Sequence, residues 1–562
     1  MQKMLVCLRW FFLFAMLSTA RFSFASDYSD GEVLAIKTQL TGSPLICAPK
    51  LRCGASSLLA NFYNQQKYTP VWTDDGGLTH TGKAMINVLR TAYTDGLDPR
   101  SYHIKQINSL MSRLTAADDD NRDTILAALE LTISDGFLLY ANNLYYGMLD
   151  VKKTYPYWNN VKKPIDLIKQ LELAADDPAA VAAKLVPSYP GYSKLKDKLA
   201  QYQEVEANGG WPVVPGEDVL KIGDSGEAIK LLRKRLYISG ELANLGGSKF
   251  DNELQNAVIQ FQENNGVYYD GVVEGDTLAA LNVSAKTRIR QIELNLDKMR
   301  LLPDDMSKDY LFINLPAYSL NVVHDGSQIM VMDIAVGGSE HPSCVLNSKI
   351  QYLVLNPYWN IPAQIAESEI WASVRANSNY LKDKHVQVLK KDSSGNYKEI
   401  DSSGFNWNKM TAKQFNSYRY RQAPYEQNAL GKVKFIFPNA CGIYLHSTNE
   451  SELFDVYARD FSHGCIRVSQ PLNLTTFMLN SQKQWSIKKV ADMYQNDVNK
   501  TVPLVKPFNL YIMYLTAFVG DDDWTKFRQD IYKFDKKLLS KYSGFMPPKS
   551  DQNNDSDPDS SE

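Results

Sequence analysis

The chain has 562 residues, with 61 Lys+Arg against 63 Asp+Glu, a net charge of −2 and a pI of about 6.4. That balance excludes a general nucleic-acid binder, which carries a strongly basic domain, and six cysteines are too few for a disulfide scaffold. With 44% hydrophobic and 11% aromatic residues the composition is globular, and the length predicts about three or four modules.

Lys3 and Arg9 precede an apolar run, Trp10 to Ala20, and Ser23-Phe24-Ala25 offers small residues at a cleavage spacing. Residues 1–25 read as a secretory signal peptide, because the run is short for a bilayer. The alternative is an uncleaved anchor. An exported protein with no stable membrane span is expected. Beyond Cys7 lie Cys47, Cys53, Cys344, Cys441 and Cys465. Five is odd, so at least one thiol is unpaired within the chain. Cys47 and Cys53 are close enough to bridge, or are two buried, unpaired small hydrophobes.

Residues 26–210 read as a helical scaffold domain, with long apolar periodicity between Asp119 and Leu149 and no catalytic constellation. Asn208-Gly209-Gly210, Pro212 and Pro215-Gly216 mark a linker. A compact three-helix unit follows over 218–282. Its first helix carries Ile229, Leu232 and Leu236 and stops at Gly240. The second is capped by Asp251 and ends at Gly266. The third is capped by Asp276. Residues 283–306 read as a charged helical connector. From Tyr310 the period changes to strands, with Asp325-Gly326 as a hairpin turn and further strands at 350–355, 433–437 and 443–446. Between 362 and 425 lies a polar, helical capping insertion, a candidate lid. The acidic tail, 541–562, reads as disordered.

Chemistry concentrates in Ser462-His463-Gly464-Cys465-Ile466-Arg467-Val468. A cysteine beside His and Arg suggests a nucleophile of lowered pKa. His446 closes the expected strand Ile443-Tyr444-Leu445-His446. Cys plus His is the minimum for acyl transfer through a thioester, and His446 and His463, the latter two residues from Cys465, are both candidate bases. Zinc on His446, His463 and Cys465 is the competing reading, but there is no clear fourth ligand and no metal-type spacing. No metal is expected.

Two stretches resemble known families. The 218–282 unit resembles a peptidoglycan-binding module through Gly223-Asp224, Phe250-Asp251, Ala257-Val258, Phe261-Gln262, Asp270-Gly271-Val272-Val273, Thr277-Leu278 and Leu281-Asn282. Residues 428–471 resemble the L,D-transpeptidase (YkuD-type) catalytic domain. The carrying residues are Asn428-Ala429-Leu430-Gly431, Lys434-Phe435, Phe437-Pro438-Asn439, Ile443 to His446 and Ser462 to Val468. Asn356 to Pro362 matches upstream, and Tyr514-Leu515-Thr516-Ala517 and Phe527 to Tyr532 match the large periplasmic members.

The resemblance implies a multidomain α+β protein: helical scaffold, three-helix wall-binding-type module, and a mixed β-rich catalytic domain at 307–540 with a helical cap. It implies a periplasmic enzyme of cell-wall biogenesis and cell shape that uses no cofactor. Its substrates would be peptidoglycan stem peptides: a tetrapeptide donor that loses D-Ala, and the diamino-acid amine of an acceptor. The product would be a 3→3 cross-link, and a carbapenem would inhibit. Cys465 is then the nucleophile and His446 the base, oriented by the carbonyl of Ser447. Backbone N–H groups near His463, Gly464 and Cys465 form the oxyanion hole, with Gly464 permitting close approach. Arg467 orders the loop, keeps the site positive or meets a stem carboxylate. Tyr444 and Trp359 wall the pocket, or Trp359 packs in the core. Ser447 stands where the family often has Asp, and Tyr425 where it has Gly. A Cys344–Cys441 bridge would leave Cys465 free. Competing readings are an L,D-carboxypeptidase, attachment of a protein to the wall by the same acyl-enzyme, and a non-catalytic wall-binding protein.

Overall fold

The computed structural model describes residues 28–540, apart from 43–44, 49–50, 150, 152–154, 156–157, 161, 217–218 and 305. The expected signal peptide and acidic tail lie outside the described residues. The chain forms two compact units, one of residues 28–89, 100–139 and 167–180, the other of 90–99, 140–166 and 181–540. The division therefore does not fall at 210. The helix Pro190–Ala207 buries Tyr192, Leu195 and Leu199 in the same core as the catalytic strands, so packing assigns it to the second unit.

The first unit is mostly helical, with Asp30–Thr41, Ser56–Gln65, His80–Arg90, Ile104–Thr115 and most of the long helix Asp119–Tyr146. Residues 121–146 are long and apolar enough to cross a bilayer, but 89% of that window is buried inside the fold. Its polar residues are tied to this unit's own groups. Asp135 accepts from the Gly54 and Ala55 N–H groups and contacts His103 Nε2 at 2.8 Å. Glu130 accepts from the Val71 and Trp72 N–H groups, at 2.6 and 2.8 Å, and from the Tyr63 hydroxyl at 2.7 Å. Thr73 Oγ1 touches both Glu130 Oε2, at 2.9 Å, and Glu32 Oε1, at 2.5 Å. One hydroxyl proton cannot serve two carboxylates, so one carboxyl is protonated. Burial raises both carboxyls, Glu32 to about 7. Cys47 and Cys53 are bridged.

In the second unit the 218–282 module has its own core, including Ile229, Leu232, Leu236, Phe250, Leu254, Val258 and Phe261. Its helices are Glu227–Ser239, Asn252–Asn265 and Gly275–Leu281. Asp251 accepts from the Leu254 N–H as expected. Asp276, expected as a cap, lies inside the third helix; Glu274 is the capping position and makes no side-chain cap bond. The charged connector is also corrected. Ala285–Met299 is a core helix whose Arg288, Glu293, Asp297 and Lys298 are buried. Two of these charges are paired, Lys298 with Asp535 and Asp297 with Arg300 at 2.9 Å, and burial pushes Glu293 up to about 8.

The catalytic region's strands are β1 (Tyr310–Asn314), β2 (Ser319–His324), β3 (Ser327–Gly337), β4 (Val345–Leu355), β5 (Trp359–Ile361), β6 (Val386–Lys391), β7 (Tyr397–Ile400), β8 (Arg419–Gln422), β9 (Val433–Ile436), β10 (Leu445–His446), β11 (Asp460–Ser462), β12 (Ile466–Val468) and β13 (Lys500–Met513). The main sheet runs β9-β10-β12-β3-β2-β1-β13-β4, and β4 pairs with β9 again, closing it on itself. Its inner face holds Leu311, Ile313, Leu320, Ile334, Leu353, Val433, Phe435, Leu445, Ile466 and Leu510.

The insertion is not simply helical. β5-β8-β6-β7 form an antiparallel sheet over short helical turns between Ala363 and Asp383. Val386, Val388 and Tyr420 join Ile370, Val374, Trp407 and Phe415 in a separate cap core. Only Val386 and Val388 alternate cleanly along β6, and β7 faces solvent, so a polar composition concealed the sheet.

Candidate active site

Three short strands meet at the site. β10 pairs with β12 in parallel, Leu445 opposite Ile466 and His446 opposite Arg467, and with β9 antiparallel, His446 opposite Lys434. Side chains alternate along strands. Val433, Phe435, Leu445, Ile466 and Val468 point into the core and are buried. The same alternation places Lys434, Tyr444, His446, Cys465 and Arg467 on the opposite face. A histidine and a cysteine nineteen positions apart thus become neighbours because two strands pair in register.

His446 is buried, and its Nδ1 lies 2.5 Å from the Ser447 carbonyl oxygen. A carbonyl only accepts, so Nδ1 carries the proton and Nε2 keeps its lone pair. Burial, with Arg467 and then Lys434 as neighbouring cations, lowers His446 to about 3. The imidazole is neutral at neutral pH, with the Nε2 lone pair unprotonated. Ser447 is itself held, its N–H donating to the Val433 carbonyl at 2.9 Å. Gly431 makes room for it: with φ at +58°, a Cβ there would lie 2.4 Å from Ser447 Oγ and 2.8 Å from the Thr448 nitrogen.

Cys465 is the free cysteine of the described residues. The lowered thiol pKa expected from its neighbours is not what its environment produces. Desolvation pushes the thiol up, outweighing hydrogen bonds from the Tyr444 backbone and side chain and the fields of Arg467 and Lys434. A neutral thiol beside a neutral imidazole is the resting pair.

The loop before Cys465 is tightly held. Ser462 Oγ donates to the Cys465 carbonyl at 2.6 Å and accepts from the Gly464 N–H at 3.2 Å, so that N–H is engaged within the loop. The Gly464 carbonyl accepts from Ser343 Oγ at 2.7 Å. Gly464 sits at φ +103°, and a Cβ there would meet the His341 oxygen at an ordinary 3.6 Å. Backbone conformation, not crowding, requires this glycine. Cys344, next to Ser343, is bridged to Cys441, which precedes β10. The bridge ties together the segments entering the site from both sides.

Arg467 pairs with Glu450 at 2.9 Å. His463 is half exposed, stacks on His341 with ring centroids 5.3 Å apart, and lies 3.7 Å from Glu369 of the cap. Trp359 packs against the cap's core, the packing alternative for this residue. Tyr425 stacks on His385 at 4.4 Å and accepts from Gln422. Lys434 is the residue that sequence reasoning missed as a site member. It appeared in the motif Lys434-Phe435, and only its pairing with His446 reveals its place.

Three family models match the chain. A scaffold domain covers 57–199, a "Putative peptidoglycan binding domain" 225–281 and an L,D-transpeptidase catalytic domain 308–496. A Haemophilus influenzae protein named "Putative L,D-transpeptidase" is 27% identical over 249 residues, 44% of this chain and 49% of that protein. The chain thus spans about half the length of that curated relative. Among solved structures, an L,D-transpeptidase of Xylanimonas cellulosilytica is 14% identical, covering 53% of this chain and 98% of its own, with a TM-score of 0.17. One from Stackebrandtia nassauensis is 16% identical over 53% and 96%, with a TM-score of 0.20. Scores that low carry no argument about this chain. The match to the L,D-transpeptidase catalytic domain spans 308–496, the stretch that holds the face described above.

Proposed function

We propose that the protein is a peptidoglycan L,D-transpeptidase forming 3→3 cross-links through a Cys465 acyl-enzyme. The observation that carries this reading is the single face bearing Tyr444, His446, Cys465 and Arg467, with the His446 tautomer set by Ser447. His446 Nε2 takes the thiol proton as Sγ attacks the carbonyl carbon of the donor's third residue. The His463 and Cys465 N–H groups receive the oxyanion, the Gly464 N–H being held by Ser462. The intermediate collapses, the imidazolium gives its proton to the departing D-Ala amine, and a thioester remains. The acceptor's side-chain amine attacks the thioester, His446 takes its proton, and the new amide forms as the Cys465 sulfur leaves.

Because burial keeps the thiol protonated at rest, proton transfer accompanies attack. Tyr444 lines this face; His463 bridges the loop to the cap through Glu369. The peptidoglycan-binding match over 225–281 supports wall engagement by a module that has its own core. Two disulfides favour an oxidising compartment, in keeping with export to the periplasm by a signal peptide.

The test has two parts. The protein with its first 25 residues removed is incubated with a carbapenem and weighed intact; an adduct mapping to Cys465 is expected. It is then given tetrapeptide muropeptides, and 3→3 dimers with released D-Ala are expected. Tripeptides without dimers would assign the carboxypeptidase reaction instead. Wall-linked protein without dimers would assign attachment, and no acylation at all would leave a wall-binding protein.

A further inference from the structure

Lys434 is a half-buried cation whose ammonium has no carboxylate partner among the described residues. It lies over the Tyr444 ring, 5.7 Å from the centroid. Burial lowers its pKa, and the charge it feels in return is that of Cys465. An unpaired cation held out of water is costly unless an anion arrives.

The other cations near the face are already committed. Arg467 is tied to Glu450, and Lys432, on the edge of the same strand, to Asp497 at 3.0 Å. His446 is neutral, and the acid of the cap, Glu369, faces His463. Of the two cations whose fields act on Cys465, Arg467 and Lys434, Lys434 is the one without a counter-ion among the described residues.

We propose that Lys434 is the positioning cation for the Cys465 thiolate, holding that anion in place when His446 takes its proton. This deepens, and rests on, the assignment of Cys465 as nucleophile. The geometry explains why the cation is a lysine reached through β9. A charge beside Cys465 on its own strand, as Arg467 is, is neutralised by Glu450 across the loop. A charge on β9 lies over the Tyr444 ring and opposite His446, and is half-buried there. The field is strong there because the surroundings are partly dry.

The test uses the protein with its signal segment removed, and two alkylating agents of equal reach. In each, the Cys465 sulfur attacks the methylene carbon, the C–S bond forms, the C–I bond breaks and iodide leaves. Neutral iodoacetamide reports the thiolate population against pH by intact mass. Lys434→Met is expected to raise the midpoint of that profile by about one pH unit and to slow alkylation at pH 7 about tenfold, as loss of a nearby opposite charge does. Lys434→Arg is expected to restore the midpoint. Lys434→Gln serves as the second neutral variant should the methionine fail to fold.

An unmoved midpoint in both neutral variants overturns the proposal. So does a loss seen only with iodoacetate, which would make Lys434 a site for carboxylates. Because iodoacetamide needs no wall substrate, failure of the transpeptidase reading shows separately as absence of the carbapenem adduct.

Discussion

Two buried polar clusters occupy this chain, and they differ in how far they satisfy themselves. Around Glu130, two backbone N–H groups and two hydroxyls converge on one carboxylate; one oxygen of the neighbouring Glu32 is left without a partner. Around Cys465, and among the described residues, the ammonium of Lys434 has no acceptor, the imidazole presents a bare Nε2, and Arg467 Nε is buried without a partner. Both clusters shift pKa values chiefly by desolvation, so a shifted value alone does not separate structure from chemistry. What separates them is unspent bonding capacity. The Glu130 carboxylate is saturated and specifies a fold; the groups around Cys465, on a partly exposed face, keep capacity for a further partner.

The sharpest break between the two comes from the nucleophile. Cys465→Ala is expected to abolish the carbapenem adduct and all cross-linking, and Cys465→Ser to be nearly as inactive, while amide exchange near Glu130 is unchanged. Either variant retaining 3→3 dimer formation would remove the chemistry from this cluster.

Next comes the base. His446→Ala should slow acylation by roughly 10²–10⁴-fold. The native pH profile sharpens the point. With His446 lowered to about 3 and the thiol raised, acylation should hold level from pH 7 to pH 5 instead of falling through the usual histidine range. A half-fall near pH 6.5 in native protein that vanishes in His463→Ala would transfer the base role to His463.

The saturated cluster is expected to answer in stability. Glu130→Ala strips partners from the Val71 and Trp72 N–H groups, costing of the order of 4 kcal/mol locally. Hydrogen exchange at those two amides should accelerate accordingly, with the carbapenem adduct still forming on folded protein.

Glu32 gives the smallest effect. Its folded pKa, about 7, lies above its unfolded value, so the native state holds the extra proton. That stabilisation is complete below about pH 4.5 and declines as pH rises towards 7, by at most about 3 kcal/mol. Glu32→Gln should flatten the decline, as read from exchange of the same amides at pH 5 and pH 8. An unaltered slope would place the proton elsewhere.

What could be read in the sequence was local. The turn at Asp325-Gly326, the helix with its Asp251 cap and the run Ser462 to Val468 depend on neighbours within a few positions, and each lies where its pattern placed it. Tertiary structure decided what depends on distant partners. Lys434 faces the site because β9 pairs with β10, and Cys344 meets Cys441 across 97 positions. The cap's strands are polar on one face and needed a core of their own to be recognised. The connector's Lys298 is buried with a partner from far along the chain, Asp535. The thiol's raised pKa is the clearest case. Neighbouring His and Arg in sequence argued for a lowered value, but desolvation is set by how much water the folded chain excludes, and no run of residues records that.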